Sequence, residues 1–438
     1  MSRVAIVHTA DVHGNVDGLA RAATLVERLR DESDAPVLFV DGGDVEETTT
    51  WISNATKGAA MHRLLSAAGC QAAVVGNAAW LRYGPQVLVD HAREAAYPLL
   101  LANVRAGDGS LIPGAQETVL VDAGGVRVGL IGITAPLDEL DIIEEFGLSR
   151  LDEVELVQRL AADLRRAGAD YVVLLSHLGL DVPASSVDDR RVVAALDGAV
   201  DAVIGGHTHD VLPGGEVIGG TVVSHVGRFA EHVGVLELGP DGARTRLAEV
   251  TDDVPLHRRV VEAAASVEPE IEAHLAEVIG ELPHAMNEVE ATRWLAGLLR
   301  RELDADLGLA APGAAFSGPL PGGRLTRGAL WRSCDSSGNP ALVELRGSQL
   351  LTMLERGADS EFAAETPWTL RGRARGLLQA DGPVDAIDPD ATYRVAATDW
   401  ELESYGGLVD EDWSLEPHYD LSMIMREFVE RALNGARS

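Results

Sequence analysis

The sequence predicts an α/β fold: a larger N-terminal domain built on a sheet covered on both faces, then a smaller α/β domain. Up to His209, short β-branched runs alternate with amphipathic stretches of helical period. Continuous apolar strands between helices mean a sheet buried on both sides. Beyond a Glu-, Ala- and Val-rich helical stretch, a second strand-and-helix block begins near His284. The length, 438 residues, suits two to three domains at roughly 150 residues each.

In chain order, strands are predicted at 4–8, 37–40, 72–75, 98–101, 126–133, 171–175 and 202–204, with helices at 19–29, 59–68 and 151–167. The segments 221–226, 232–238 and 243–250 read as consecutive antiparallel strands. Residues 252–279 have helical periodicity and read as a connecting helix that Pro283 closes. The predicted boundaries are 1–252, a connector at 253–283, and 284–438. The second domain opens with a helix at 288–303. A Gly/Pro-rich stretch at 311–323, a strand and helix at 342–355, a strand at 393–398 and a helix near 422–433 follow.

Composition narrows the function. Lys and Arg total 36 against 69 Asp and Glu, a net charge of -33, and Lys57 is the sole lysine. Such acidity argues against a nucleic-acid polymer or an anionic membrane as partner. An anionic substrate would need a local positive site, from arginine or from metal ions. No apolar run reaches the ~18 residues of a membrane span, and the N-terminus lacks the pattern of a signal peptide. Cys70 and Cys334 form no metal or disulfide framework, which fits a reducing compartment and a cytoplasmic protein.

The strand ends carry the chemistry. The first strand runs into His8-Thr9-Ala10-Asp11-Val12-His13-Gly14-Asn15, and the second into Asp41-Gly42-Gly43-Asp44. The third ends in Gly76-Asn77. Two later strands end in Ser176-His177 and in Gly205-Gly206-His207-Thr208-His209. Ligand sites of open α/β sheets lie at the carboxyl ends of strands. Asp, Asn and His together suit Mn, Zn, Fe or Ni. Seven ligands exceed the needs of one such ion with open positions, but suit two ions sharing a carboxylate. A lone histidine is more often a core or surface imidazole, as His91, His257 and His274 are taken to be on their helix surfaces. Four in register with two Asp and an Asn are not.

The ordered set resembles the calcineurin-like metallophosphoesterases, and more closely their 5'-nucleotidase branch. "HTADVHGN", "DGGDV", "GNAAW", "LLANV", "GVRVGLIGITAP", "LLSHLG" and "VDAVIGGHTH" occur in the family's order. "LTRGALW", "ALVELRGSQLLTMLERG" and "YRVAATDWELESYGG" are similar to its C-terminal domain. The resemblance implies a four-layer αββα sandwich plus a smaller 5'-nucleotidase C-terminal-like domain. It also implies two divalent ions and a small phosphorylated substrate, preferably a nucleotide, attacked by a hydroxide that the metals hold. Asp11, His13 and His209 would bind one ion, Asp44 would bridge, and Asn77, His177 and His207 would complete the second site. Asn103 falls where the family has a residue near the phosphate. Oligomeric state is left open.

Two departures stand out. The family's third motif is Gly-Asn-His-Glu, and its His serves the leaving group. Here Ala78 follows Asn77, and the segment to Gly84 is one residue longer. A methyl group transfers no proton, and general acid catalysis is worth ~10²–10⁴-fold. His62, His225, Arg82 or Tyr83 are the candidates to replace it. The leaving group could instead need no acid, as in hydrolysis of another ester, or the domain could bind its ligand without efficient turnover. The family's substrate motif also has no clean match near 310–325. Arg324 is the best candidate there, with Trp400 and Tyr405 for base stacking. Arg371, Arg373 and Arg375 alternate as on one strand face. Cys334 lacks a nearby base and is not read as a nucleophile.

Overall fold

A computed structural model describes residues 2–80, 83–135, 143, 146–181, 187–313, 315–334, 336, 338–358, 377–402, 408–410, 412–420 and 423–435. The chain divides into two compact units, Met1–Pro269 and Glu270–Ser438.

The first unit holds two large sheets. One has seven strands in the order Gly242–Glu249, His232–Gly239, Val4–Thr9, Val37–Asp41, Ala72–Val74, Leu99–Leu100 and Ala115–Gln116. The other has six, in the order Glu216–Ile218, Thr221–Ser224, Ala202–Gly205, Tyr171–His177, Val126–Thr134 and Thr118–Ala123. Strand alternation assigns the faces. Ile6, Leu38 and Val40 of the first sheet share one core with Val128, Leu130, Val173 and Leu175 of the second. The intervening Ile131, Ile133, Val172, Leu174 and Val203 pack instead with Leu156, Leu160, Val192 and Val193 from helices Glu153–Arg166 and Asp189–Leu196. Helix Val16–Glu32 buries Leu19, Ala22, Ala23 and Val26 and lies against strands of the first sheet. This is the expected α/β sandwich.

Side chains cap the helices that follow two of the motif-bearing strands. Asn15 Oδ1 accepts from Gly18 N at 3.0 Å, and Asp188 Oδ1 accepts from Arg191 N at 2.8 Å. Each satisfies a donor orphaned at a helix start. Between Thr9 and the Asn15 cap, residues 10–14 are thereby held at the carboxyl edge of the first sheet.

Two segments depart from the sequence reading. Residues 221–250 do not form one meander. Thr221–Ser224 runs parallel to Ala202–Gly205 in the second sheet, whereas His232–Gly239 and Gly242–Glu249 form a hairpin in the first. Alternation alone cannot reveal that the chain changes sheet. The connecting helix ends early, at Ala276. Val278–Leu282 is a strand paired with Gly323–Thr326, so tertiary pairing overrides local helical pattern.

The second unit has a five-stranded sheet in the order Gln379–Asp381, Leu307–Ala310, Thr392–Thr398, Pro340–Arg346 and His418–Tyr419. Helices Glu288–Glu302 and Met425–Gly435 pack on it through Leu295, Leu299, Phe428 and Val429. Among the described residues no helix is long and apolar enough to cross a membrane.

Candidate metal centre

The turns after the first, second and fifth motif-bearing strands are locally strained. Asp11, His13, Asp44, His207 and His209 have φ of 51°, 46°, 54°, 79° and 60°. Non-glycine residues seldom adopt this left-handed region, and functional sites are where such strain persists. Neighbouring turns hold one another in it. Asp11 N donates to Gly43 O at 2.9 Å, His13 N to Asp44 O at 3.0 Å, and Gly14 N to Val45 O at 3.0 Å. Asp41 fastens the second turn, accepting from Thr9 Oγ1 at 2.7 Å and from Gly43 N at 3.0 Å. Burial raises its carboxyl to about 8.

With Asn77 and His177 from the other two strand ends, these turns bring seven side chains together. His13 Nε2 lies 3.0 Å from His209 Nε2, and Asp11 Oδ1 lies 3.7 and 3.6 Å from those two nitrogens. His177 Nε2 is 3.2 Å from Asp44 Oδ2 and 3.2 Å from Asn77 Oδ1. Asn77 Oδ1 also meets His207 Nδ1 at 2.7 Å. Asp11/His13/His209 and Asp11/Asp44/His177 each present ligand atoms within 4.8 Å of one another. Asp11 thus belongs to both groups. The bridging role that the family pattern implies for Asp44 stays an assignment by resemblance.

The donor set fits divalent cations. His177 Nδ1 lies 2.7 Å from Gly42 O. A carbonyl only accepts, so Nδ1 carries the proton and Nε2 is the atom turned to the site, the usual support of a ligating histidine. Burial and neighbouring rings push His207 and His209 down to about 4, so both are neutral at pH 7, as ligands must be. Burial raises Asp11 to about 6, with Asp44 adding to the effect. Burial also opposes ionisation of Asp44, yet the adjacent His177 and the Ala78 N–H hold its carboxyl below the usual range. Burial would lower His177, but Asp44 and Asp11 raise it to about 10. Two carboxylates this buried demand positive charge beside them.

Glycine makes the approach possible. A Cβ on Gly76 would meet Asp44 Oδ1 at 2.0 Å and Asp44 N at 2.4 Å, and one on Gly206 would meet His177 Nδ1 at 2.8 Å. Gly76→Ala should displace the Asp44 carboxylate, destabilise the protein by ~1–3 kcal/mol and reduce bound metal. Thermal melts and elemental analysis check this. Wild-type metal content with an unchanged melting temperature would contradict it.

The other described candidates have surroundings of their own. Asn103 is fully buried. Its Nδ2 donates to Thr134 O at 2.8 Å and Glu153 Oε1 at 3.0 Å, and its Oδ1 accepts from Thr134 N at 3.0 Å. That amide clamps its own loop to the end of strand Val126–Thr134 and the start of helix Glu153–Arg166. His225 is buried, its Nε2 2.8 Å from Asp189 Oδ2. His62 is buried between Glu46 and Tyr97. Neither ring is open to a leaving group. Arg324 is exposed on strand Gly323–Thr326, and Trp400 packs against Gly338. Tyr83 Oη accepts from Asn54 Nδ2 at 2.6 Å. Arg82, Tyr405, Arg371, Arg373 and Arg375 lie outside the described residues. Cys334 and Cys70 are buried free thiols, and burial raises Cys70 well above its ordinary value. His91 and His257, expected on helix surfaces, are buried. Helix Leu88–Glu94 turns His91 inward, and His257 precedes the helix that starts at Arg258, which one residue in isolation does not reveal.

Sequence reasoning missed Arg228 and Phe229. Both are exposed, and Phe229 lies 6.0 Å from the His13 ring, centroid to centroid. Phe229 N donates to Asp11 O at 2.7 Å, and Asn15 Nδ2 donates to Phe229 O at 2.8 Å. The Arg228 charge helps hold His209 down. The segment Gly227-Arg228-Phe229-Ala230 lies between strands and carries no ligand-type residue, so spacing offered no signal.

Residues 4–211 match the calcineurin-like phosphoesterase family model. Over 376 residues the chain is 24% identical to the uncharacterized metallophosphoesterase YunD of Bacillus subtilis, covering 82% of this chain and 79% of that one. It is 30% identical over 229 residues to the snake venom 5'-nucleotidase of Gloydius brevicauda. That match covers 47% of this chain and spans only 37% of the venom protein. The crystal structure of a 5'-nucleotidase precursor from Thermus thermophilus superposes with a TM-score of 0.60 at 21% identity, covering 99% of this chain and 96% of that one. These relatives and neighbours are phosphoesterases and 5'-nucleotidases, and the likeness extends over both units.

Proposed function

We propose that this chain, with its calcineurin-like phosphoesterase domain at residues 4–211, hydrolyses small phosphate esters, nucleotides or related metabolites, without the family's imidazole acid. The observation that carries this reading is the convergence of Asp11, His13, Asp44, Asn77, His177, His207 and His209 at strand ends. When bound there, two divalent ions (Mn, Zn, Fe or Ni) supply Lewis-acid charge and lower the pKa of water towards ~7.

The chain's own groups do the rest. His177 is held in one tautomer by Gly42 O. Arg228 adds exposed positive charge beside His209, the local feature an anionic substrate needs in a protein of net charge -33. Ala78 is half-buried next to Asn77, and its N–H is engaged by Asp44 Oδ1 at 2.8 Å. Its methyl donates nothing. The leaving group must therefore depart largely as an anion. This favours aryl or anhydride-like phosphates, or a sulfur-linked ester. Two buried free cysteines suit the cytoplasmic setting, which is part of the same proposal.

The same alanine favours a second reading, a protein that keeps its metals to bind such a ligand without efficient turnover. A substrate panel separates the two. Chelator-stripped protein should be inactive, and reloading with Mn, Zn, Fe or Ni should restore hydrolysis of at least one phosphate ester. Metal-replete, folded protein that turns over no member of the panel would overturn the hydrolase reading.

A further inference from the structure

A second set of ligand-type side chains lies in the first unit, wholly enclosed. Glu46, two residues past Asp44, is 3% exposed. His62, on helix Ala59–Ala67, is 4% exposed, and His91, on helix Leu88–Glu94, is 0% exposed. The two imidazoles lie 4.6 Å apart, centroid to centroid, and the carboxylate faces both. The backbone is shaped to admit them. Gly58 has φ 87°, and a Cβ there would meet Glu46 Cγ at 2.7 Å and His91 Nε2 at 2.9 Å.

The hydrogen bonds around the cluster fix which atoms point inward. His91 Nε2 is 2.6 Å from Lys57 O. That carbonyl only accepts, so Nε2 carries the proton and a neutral His91 turns the lone pair of Nδ1 into the cluster. Nδ1 stands 3.4 Å from Glu46 Oε1 and has no hydrogen-bond partner, as has Glu46 Oε2. On the far side His62 Nδ1 is 2.8 Å from the Tyr97 hydroxyl, leaving His62 Nε2 against Glu46 Oε1. A lone pair facing a carboxylate in a dry interior is repulsive, and an unpaired buried polar atom is destabilising. An imidazolium at His62 would pair with Glu46 Oε1. It would leave His91 Nδ1 and Glu46 Oε2 without partners.

We propose that Glu46, His62 Nε2 and His91 Nδ1 bind one further divalent transition-metal ion, of the zinc type, in a structural site distinct from the strand-end centre. Two imidazoles and a carboxylate are a recognised zinc donor set. The outer partners suit ligating histidines: a backbone carbonyl on the remote N–H of His91, and beside His62 Nδ1 a tyrosine hydroxyl able to accept its proton when Nε2 is a ligand. A cation answers both orphaned atoms at once. Bound there, it ties the loop that follows Asp44 to helices Ala59–Ala67 and Leu88–Glu94, so the loop carrying one carboxylate of the strand-end centre is anchored from behind.

The test is a metal count on the full chain, loaded with Zn²⁺ or Co²⁺ and dialysed free of loosely held ions. Wild type should hold about three ions per chain, and His91→Gln and Glu46→Gln about one fewer, since each removes one ligand. In Co²⁺-loaded protein, His91→Gln should also lose part of the visible ligand-field absorption. Asp11→Asn with Asp44→Asn, which disables the strand-end centre, should still retain about one ion. A wild-type protein that saturates at two ions, or a folded His91→Gln protein with the wild-type count, overturns the third site. A wild-type protein that holds a single ion, kept in Asp11→Asn with Asp44→Asn and lost in His91→Gln, would instead count against the phosphoesterase reading, so the two failures are distinguishable.

Discussion

Asp44→Asn should cost the protein at least one metal ion and lower phosphate-ester hydrolysis by ~10³-fold or more, beyond the ~10²–10³ lost with one electrostatic donor. The substitution is nearly isosteric. The Oδ1 atom that accepts from Ala78 N at 2.8 Å can be kept, so the turn bearing the φ of 54° at residue 44 should still form. What changes is the charge facing His177 Nε2 at 3.2 Å. His177 would lose the partner that raises its basicity, and the metals would lose a carboxylate that offsets their mutual repulsion. Elemental analysis, circular dichroism and turnover of an aryl phosphate, measured on the same preparation, check this. An Asp44→Asn protein with wild-type metal content and rate would remove Asp44 from the centre.

Hydrolysis by the natural protein should depend steeply on leaving-group acidity. Aryl phosphates should react ~10²–10⁴-fold faster than alkyl phosphates such as a nucleoside 5'-phosphate, the range a general acid would otherwise supply. The structure strengthens this expectation. His62 and His225, the imidazoles that sequence offered as substitutes, are buried and engaged by Glu46 and Asp189. Ala78→His should help alkyl esters selectively, by up to ~10²-fold, where the lengthened segment places the ring well. A series of phosphate esters of graded leaving-group pKa measures the slope. A flat series, with alkyl and aryl esters cleaved at equal chemical rates, would mean that a group other than residue 78 delivers the proton.

Much of the strand-end centre was legible in sequence because its logic is local. Each motif ends a buried strand, and each ligand follows within a few residues of that end. Within each sheet, parallel strands bring successive ends to one edge, and packing of the two sheets brings the two edges together. The amphipathic helices and most strands were legible for the same reason, since period and composition are properties of a short window. The α/β class follows from the residues alone, and the choice of the seven ligands among the polar strand-end residues follows from the family resemblance.

Tertiary structure decided whatever depends on which distant segments meet. The chain's step from the second sheet at Ser224 back to the first at His232 has no signature in alternation. The strand at Val278–Leu282 exists because Gly323–Thr326 lies beside it. Arg228 and Phe229 reach the centre through a turn pinned by Asp11 O and Asn15, which no spacing rule anticipates. The Glu46, His62 and His91 cluster is the clearest case. Its residues come from a loop and two helices, and no pair of them shares a motif. In sequence His91 reads as one more polar residue on a helix surface. Only packing shows that its ring is enclosed and that its proton is committed to Lys57 O. The remaining nitrogen then faces a carboxylate, because side-chain direction across a packed interface is a property of the fold.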